Sequence, residues 1–205
     1  MREFKRDIKK LVIKVGSSSI THEDGAANLE KIDDLCFELA NLKNHGIDVV
    51  LVSSGAIAVG RKKLNLKERP KETSVKQAAA AVGQVSLINI YDMTLNHYGY
   101  STAQILLTRQ IETDRTMYEN AVNTFDNLAH LPAIPIVNEN DTISTFEIKF
   151  GDNDTLSAII AKIVNADLLI MLSDIDGLYT DDPRTNSGAK LIKTVDNIES
   201  VIDFA

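Results

Sequence analysis

Two short polar clusters contain the side chains best suited to bind a small charged molecule. The cluster Asn138–Asp141 follows an apolar segment, and the cluster Gly151–Asp154 begins 10 residues after Asp141. Their carboxylates and amides could recognise ammonium and hydroxyl groups. Taken separately, the first cluster also fits an Asx turn, and the second fits a helix N-cap with an acidic first turn. The presence of both favours a binding site. A metal site is also open, although no histidine lies near enough in sequence to suggest zinc.

A lysine interrupts the apolar segment Leu11–Val15, and a Gly/Ser loop follows this segment. Burying an unpaired ammonium costs free energy, so Lys14 is either a functional cation or a strand-end side chain that extends to solvent. Gly16 would let the backbone approach a ligand, and Ser17 begins a run of amides that could bind anion oxygens. The loop differs from a P-loop because its lysine precedes the glycine. It predicts a phosphate site, with an ordinary surface turn as the alternative.

Small residues also follow the apolar segment Asp48–Val52. Ser54 and Gly55 precede a predicted helix, where backbone amides and the helix dipole attract a carboxylate or a phosphate. The alternative is that Ser54 only caps this helix. By itself the motif is a weak signal of binding.

The stretch Ser173–Arg184 follows the last apolar segment and contains Asp-Gly and Asp-Pro turns. Ser173 and Asp174 would border a nucleotide if this stretch forms the wall of a pocket. A tight surface hairpin fits the same residues equally well, and local chemistry leaves both interpretations open.

Apolar runs alternate with helix-like stretches along the chain, which predicts an α/β fold with a mostly parallel sheet and helices on both faces. Ligands bind such sheets at the carboxyl ends of the strands, where the polar clusters lie. The predicted strands are Leu11–Val15, Asp48–Val52, Ser101–Leu107, Ala133–Val137 and Asp167–Leu172, with a β-ribbon at Ile143–Phe150. The predicted helices are Asn28–His45, Ala56–Leu64, Ser74–Tyr98, Arg115–His130 and Asn153–Asn165, the last opened by Asp152.

Composition excludes several classes of protein. The 205 residues carry a net charge of −7 with a pI of about 5.1, which argues against nucleic-acid binding because that function needs a basic face. The apolar runs are much shorter than the roughly 20 residues of a membrane span, which argues against a membrane protein. The single cysteine, Cys36, suits a reducing cytoplasm. The four histidines show no metal-ligand spacing.

The segments IKVGSSSIT, VVLVSSGAIAVG, IPIVNENDTIS, FGDNDTLSAIIA and LSDIDGLYTDDPR together resemble the amino-acid kinase family. Within it they are most similar to the members that phosphorylate L-glutamate in proline biosynthesis. The resemblance spans roughly Leu11 to Thr194. It implies a three-layer αβα sandwich, and transfer of the ATP γ-phosphoryl group to the γ-carboxylate of L-glutamate.

The same resemblance implies roles for individual residues. Lys14 would contact the transferring phosphoryl group, and Asp152 would lie near the reaction centre and orient a catalytic lysine. The residues implied to hold glutamate are Ser54, Gly55, Asp141 and Asn153. Those implied to contact ATP are Lys14, Gly16, Ser17, Ser173 and Asp174. The family also implies Mg²⁺, self-association into a homo-oligomer, and feedback inhibition by proline.

The family's kinase domain continues beyond the position of Ala205, and the continuation carries a glycine-rich segment with a second catalytic lysine. The expectation is therefore one amino-acid kinase domain over residues 1–205, incomplete at its C-terminal end and without the PUA-type domain of many members. Two alternative functions stay open. One is an amino-acid kinase with another acceptor, such as aspartate, acetylglutamate or carbamate, and the other is a non-catalytic sensor of glutamate or proline.

Overall fold

A five-stranded parallel sheet forms the centre of the chain. The computed structural model describes residues 7–144 and 153–201, and these residues form two units, Met1–Leu172 and Ser173–Ala205. The sheet lies in the first unit, with its strands in the order β3-β4-β2-β1-β5, and every strand pairing in it is parallel. The strands are β1 Lys10–Val15, β2 Asp48–Ser53, β3 Ser101–Leu107, β4 Ala133–Glu139 and β5 Leu168–Leu172.

Helices connect these strands and cover both faces of the sheet. They are α1 Ser17–Ile20, α2 Leu29–Asn44, α3 Ala56–Lys63, α4 Thr73–His97, α5 Arg115–Ala129 and α6 Asp154–Ile163, with 3₁₀ turns at Arg109–Glu112 and Ile198–Ser200. This arrangement confirms the predicted αβα sandwich with a parallel sheet. The predicted strands and long helices all occur, with ends displaced by a few residues at most.

Three details differ from the sequence-based expectation. The Gly/Ser loop after β1 contains the short helix α1, which has no periodic apolar pattern to reveal it. The strand β4 continues to Glu139, so Asn138 and Glu139 belong to the strand instead of a turn after it. The last predicted helix begins at Asp154, with Asn153 at its N-cap position. Most of the predicted β-ribbon Ile143–Phe150 lies outside the described residues.

Alternate residues of each strand face opposite sides of the sheet, because the side-chain period of a strand is two. On one face the strands pack against α2 and α4, and on the other against α5 and α6. The first face buries Leu11, Ile13, Val15, Val49, Leu51, Ile134 and Ile136 with Ile32, Cys36, Leu39, Leu87, Tyr91 and Leu95. The second face buries Val12, Val50, Val52 and Val137 with Phe125, Leu156, Ile159, Ile160 and Ile163. This alternation decides which helix each polar residue near a strand end meets.

Two glycines allow α3 and α4 to pack at unusually short distance. A Cβ atom at Gly60 would lie 1.8 Å from the Ala79 carbonyl oxygen, and one at Gly83 would lie 1.7 Å from the Ala56 carbonyl oxygen. Real Cβ atoms do not approach backbone that closely, so both positions require glycine. Glycine weakens the interior of an isolated helix, but here Gly83 fixes the spacing of the two helices.

The second unit contains mainly turns. An isolated antiparallel bridge pairs Tyr179 with Leu191, and Arg184 Nη2 forms an ion pair with Asp174 Oδ2 at 2.6 Å. Within the described part of the chain, no helix combines the length and the apolar character needed to cross a membrane.

Candidate functional site

Lys14 is buried near the carboxyl end of β1 and forms an ion pair with Asp154. Only 4% of the lysine is exposed, and its Nζ atom lies 2.7 Å from Asp154 Oδ1. Lys14 shares a sheet face with Val12, and α6 packs against β1 on that face. The first residue of α6 therefore meets the lysine. The alternative of a lysine that extends to solvent is wrong, and the acidic residue that Lys14 meets among the described residues is Asp154.

Asn153 joins the ends of two neighbouring strands through one amide group. Its Nδ2 atom donates to the Ser53 carbonyl oxygen at 3.1 Å, to Ser54 Oγ at 3.0 Å and to Asn138 Oδ1 at 2.9 Å. All four residues are buried. The helix α3 has Gly55 at its N-cap position, with a positive φ of 103° and no side-chain cap. Ser54 is thus not the cap of α3, because Gly55 holds that position; its hydroxyl oxygen instead accepts a hydrogen bond from Asn153.

Asp141 is a buried carboxylate close to this cluster in sequence. It is 6% exposed, and its Oδ1 atom has no hydrogen-bond partner among the described residues. Burial, with a further contribution from the negative charge of Glu139, raises the pKa of Asp141 to about 7. A positively charged ligand group beside Asp141 would lower this pKa again and favour the ionised carboxylate. The two charges would then attract each other.

A pocket of about 420 Å³ opens beside Asp141. Its wall is made by α1 and the loop after it, by α3, by the loop between α3 and α4, by the start of α4 and by the carboxyl end of β4. The lining residues are Ser17, Ser18, Thr21, His22, Glu23, Gly25, Gly55, Ala56, Ile57, Ala58, Arg61, Arg69, Lys76, Asn138 and Asp141. Three residues predicted from the sequence, Ser17, Gly55 and Asp141, thus share one concave surface.

The same pocket has cationic side chains that the sequence interpretation did not select. Lys76, near the start of α4, is half-buried, and its ammonium has no ion pair or hydrogen bond within the described parts of the chain. Arg61 is engaged elsewhere, since its Nη2 atom donates to the Glu23 carbonyl oxygen at 2.9 Å. Arg69 is exposed at the rim. A pocket with a buried carboxylate and an available ammonium is suited to a zwitterion.

Gly16 lies beside the lysine instead of in the wall of this pocket. A Cβ atom at Gly16 would lie 3.8 Å from Lys14 Nζ. The position is therefore open enough for an ordinary side chain, and the prediction that Gly16 serves close approach of a ligand stays untested.

The remaining predicted residues either belong to the second unit or fall outside the described residues. Ser173 and Asp174 belong to the second unit, where both are exposed and Ser173 Oγ donates to Asp174 Oδ1 at 3.5 Å. Asp152 and Gly151 fall outside the described residues, so the predicted role of Asp152 is not tested. Among residues 7–144 and 153–201, no group of three or more His, Cys, Asp or Glu side chains could hold a metal ion.

The model of the family described as "Amino acid kinase family" matches residues 9–203. The chain belongs to the amino acid kinase family. A glutamate 5-kinase from Clostridium tetani is 51% identical over 197 residues, which covers 96% of this chain and 74% of that protein. A glutamate 5-kinase from Caldanaerobacter subterraneus subsp. tengcongensis is 52% identical over 187 residues, covering 91% of this chain and 50% of that protein. The chain thus spans about half the length of this second relative.

A solved structure with a similar fold is the crystal structure of UMP kinase from Ureaplasma parvum. It aligns with a TM-score of 0.62 and 15% sequence identity, over 97% of this chain and 80% of that chain. At this identity the likeness supports the family fold alone.

In this amino acid kinase, the sequence predicted no role for four residues that lie near the site. Asp154 was grouped with its neighbours but given no role, although an acidic residue in the first turn of a helix was a usable signal. Lys76, Gln84 and Tyr91 lie on α4, and no functional role was predicted for any residue of this helix. Nothing in the local sequence distinguishes these three from ordinary helix residues.

Proposed function

We propose that the chain catalyses ATP-dependent phosphorylation of the γ-carboxylate of L-glutamate, which gives L-glutamyl 5-phosphate, the first step of proline biosynthesis. The names and the similarity of the relatives support this reaction. The observation that carries it is the connection made by Asn153 and Asp154. Asn153 binds Ser54 in the polar cluster, while the adjacent Asp154 pairs with Lys14. One short segment thereby links the proposed acceptor site to the proposed phosphoryl site.

The reaction needs alignment and neutralised charge more than covalent participation by the protein. A γ-carboxylate oxygen of glutamate attacks the γ-phosphorus of ATP, a new O–P bond forms, and the bond from that phosphorus to the bridging oxygen of ADP breaks. The attacking carboxylate has an ordinary pKa of about 4.3 and is already ionised at neutral pH. A general base is therefore unnecessary for this step.

Lys14 is proposed to stabilise the negative charge on the phosphoryl group during transfer. Its burial strengthens this interaction, since charges interact more strongly away from bulk water. Asp154 would hold the ammonium in one orientation before ATP arrives. Asp152 is proposed to lie near the reaction centre, as the family resemblance implies. Mg²⁺ would be bound mainly by the ATP phosphates, as is usual for this ion.

The pocket supports recognition of an α-amino acid as the acceptor. The buried Asp141 carboxylate would bind the α-ammonium, and Lys76 would bind the α-carboxylate together with the amides near Gly55 at the start of α3. Ser54 and Asn153 would hold the side-chain end near Lys14. Because Asp141 and Lys76 line one pocket, the pocket would prefer an acceptor that carries both an ammonium and a carboxylate.

Further parts of the proposal come from the family resemblance. ATP would be contacted by Gly16, Ser17, Ser173 and Asp174. Proline would inhibit at a site that overlaps the glutamate site, and the protein would be a homo-oligomer in the cytoplasm. Residues 1–205 would belong to one amino acid kinase domain.

Trapping of the acyl phosphate tests the reaction. The purified protein is incubated with labelled ATP, hydroxylamine and one acceptor at a time: L-glutamate, L-aspartate, N-acetylglutamate or carbamate. We expect a yield of hydroxamate from glutamate that exceeds the hydroxamates from aspartate and N-acetylglutamate, and the hydroxyurea from carbamate, by at least tenfold. A larger yield with another acceptor would show that this acceptor, and not glutamate, is the substrate. Glutamate binding in calorimetry without hydroxamate would instead favour the sensor.

A further inference from the structure

The helix α4 directs two polar side chains toward the ends of the strands that carry the proposed glutamate ligands. Gln84 and Tyr91 are seven residues apart, which corresponds to about two helical turns and places them on the same helix face. That face lies against the sheet side formed by Leu51 and Ile136. Neither residue lines the pocket beside Asp141, so neither is placed to contact glutamate directly.

Tyr91 is fully buried and forms a hydrogen bond with Ser53. The Tyr91 hydroxyl oxygen lies 2.9 Å from Ser53 Oγ, and Ser53 Oγ also donates to the Ser54 carbonyl oxygen at 3.1 Å. A serine hydroxyl has one hydrogen, so Tyr91 is the donor in the first of these bonds. Burial raises the pKa of Tyr91, which keeps its hydroxyl protonated. Tyr91 therefore holds the backbone at the end of β2 from the α4 side.

Gln84 fixes the orientation of a second amide. Gln84 Oε1 accepts from Asn138 Nδ2 at 2.8 Å, and this arrangement turns Asn138 Oδ1 toward Asn153 Nδ2 and the Glu139 backbone amide. Rotation of the Asn138 amide by 180° would place its NH₂ group against the NH₂ group of Asn153. Gln84 therefore selects the orientation of Asn138 that binds Asn153.

The alternation of the strands explains why one helix reaches both positions. Ser53 lies on the same face of β2 as Leu51, and Asn138 lies on the same face of β4 as Ile136. Both side chains therefore face α4. Gly83, next to Gln84, packs closely against α3, and this packing fixes the distance between α3 and α4. The two contacts and the glycine together hold α4 in one position relative to the strand ends.

We propose that Gln84 and Tyr91 are positioning residues for the acceptor site, acting through Asn138 and Ser53 on the pair Ser54 and Asn153. The inference rests on the proposed function, because that function assigns glutamate to Ser54 and Asn153. Loss of either contact removes one hydrogen bond from a buried polar group, Ser53 or Asn138, and loosens the Asn153 amide that this group supports. The consequence is weaker glutamate binding, while Lys14 and Asp154 on the opposite sheet face keep their arrangement.

The variants Tyr91→Phe and Gln84→Met test this inference, since each removes the polar atom and keeps nearly the same volume. We expect each to raise the glutamate KM about tenfold in the hydroxamate assay, while kcat and the ATP KM change less than about twofold. Gln84→Glu keeps an acceptor oxygen for Asn138, and we expect it to restore most of the glutamate affinity. Thermal unfolding is measured in parallel, and kinetics are measured well below the transition of each variant.

Matched controls distinguish positioning from a general loss of structure. Tyr98→Phe removes a hydroxyl that donates to Asp33 Oδ1 at 2.9 Å on the surface, and Asn89→Leu replaces an exposed amide of α4. Both are expected to leave the glutamate KM unchanged. Suppose that the wild type is active. The inference alone is then overturned if Tyr91→Phe and Gln84→Met leave the glutamate KM unchanged, or if the control variants change this KM equally. A wild type that yields no glutamyl hydroxamate overturns the proposed function and this inference with it.

Discussion

The Lys14 ammonium lies 2.7 Å from Asp154 Oδ1, so a buried strand lysine and the first residue of a distant helix form one unit. The lysine is almost fully buried, while about half of the Asp154 side chain is exposed. The carboxylate therefore lies between the buried cation and solvent. This arrangement offsets the cost of burying the ammonium and leaves the lysine in a fixed position at the carboxyl edge of the sheet.

Lys14→Met is expected to lower kcat by roughly 10²–10³-fold, because one preformed electrostatic contact to the transferring group is lost. Asp154→Asn is expected to lower kcat less, since its amide oxygen still accepts a hydrogen bond from Lys14. Steady-state kinetics with glutamate and ATP varied separately measure both effects. Lys10→Met, on the same strand but with an exposed ion pair at 3.7 Å, is the control. A change in KM alone for Lys14→Met would contradict the phosphoryl contact.

The glutamate KM is expected to fall as the pH rises from 6 to 8. Because the pKa of Asp141 is raised to about 7, the carboxyl is mostly neutral at pH 6 and mostly ionised at pH 8, and only the ionised form attracts an ammonium. The change corresponds to roughly tenfold in the ionised fraction. Asp141→Asn should raise KM and remove this pH dependence. A profile of the same shape in both proteins would rule out Asp141 as the group that titrates.

The stability of the free protein is expected to depend on the same carboxyl. A pKa raised from 3.8 to about 7 means that the folded protein favours the neutral form of the Asp141 carboxyl. The stability that Asp141 contributes is therefore fully present below pH 3.8 and is lost as the pH rises through 7. Asp141→Asn should therefore become more stable than the wild type as the pH increases from 5 to 8. Thermal unfolding at several pH values, without ligands, measures this difference. A constant difference in Tm across that range would contradict it.

Lys76→Met is expected to raise the KM for glutamate by roughly tenfold or more, the range of a hydrogen bond to a charged group. The α-amide of glutamate, in which a carboxamide replaces the α-carboxylate, provides a sharper test. The wild type should prefer glutamate strongly over this amide, and Lys76→Met should lose most of that preference. Lys63→Met, which alters an exposed lysine bound to Ser86 on the helix surface, should keep it. Retained preference in Lys76→Met would exclude Lys76 as the carboxylate ligand.

Gly83→Ala is expected to destabilise the protein, although alanine favours a helix over glycine by about 1 kcal/mol. The added Cβ would lie 1.7 Å from the Ala56 carbonyl oxygen, so α3 and α4 would have to separate at a cost of roughly 1–3 kcal/mol. Urea unfolding measures the sign directly. Asn89→Ala on the exposed side of α4 is the control, expected to be neutral or slightly stabilising. A more stable Gly83→Ala would show that the helices separate without cost.

The sequence by itself determined the order of strands and helices, because apolar periodicity and turn residues act locally. It also indicated Lys14, since an ammonium inside an apolar strand needs a compensating partner, and Asp141, since a polar cluster after a strand lies at the ligand-binding edge. The short helix α1 was not predictable because four residues are too few to show a helical period. The extension of β4 to Glu139 was missed because polar residues at a strand end resemble a turn.

Only the tertiary structure decided which partners these residues have. Ser54 and Asn153 are 99 residues apart in sequence, and Ser53 and Tyr91 are 38 apart, so no local pattern relates them. The strand period assigns Lys14 and Ser53 to opposite faces of the sheet. Which helix covers each face depends on the crossovers and on the close packing of Gly60 and Gly83. These long-range contacts place Asp154 beside Lys14, and Tyr91 beside Ser53.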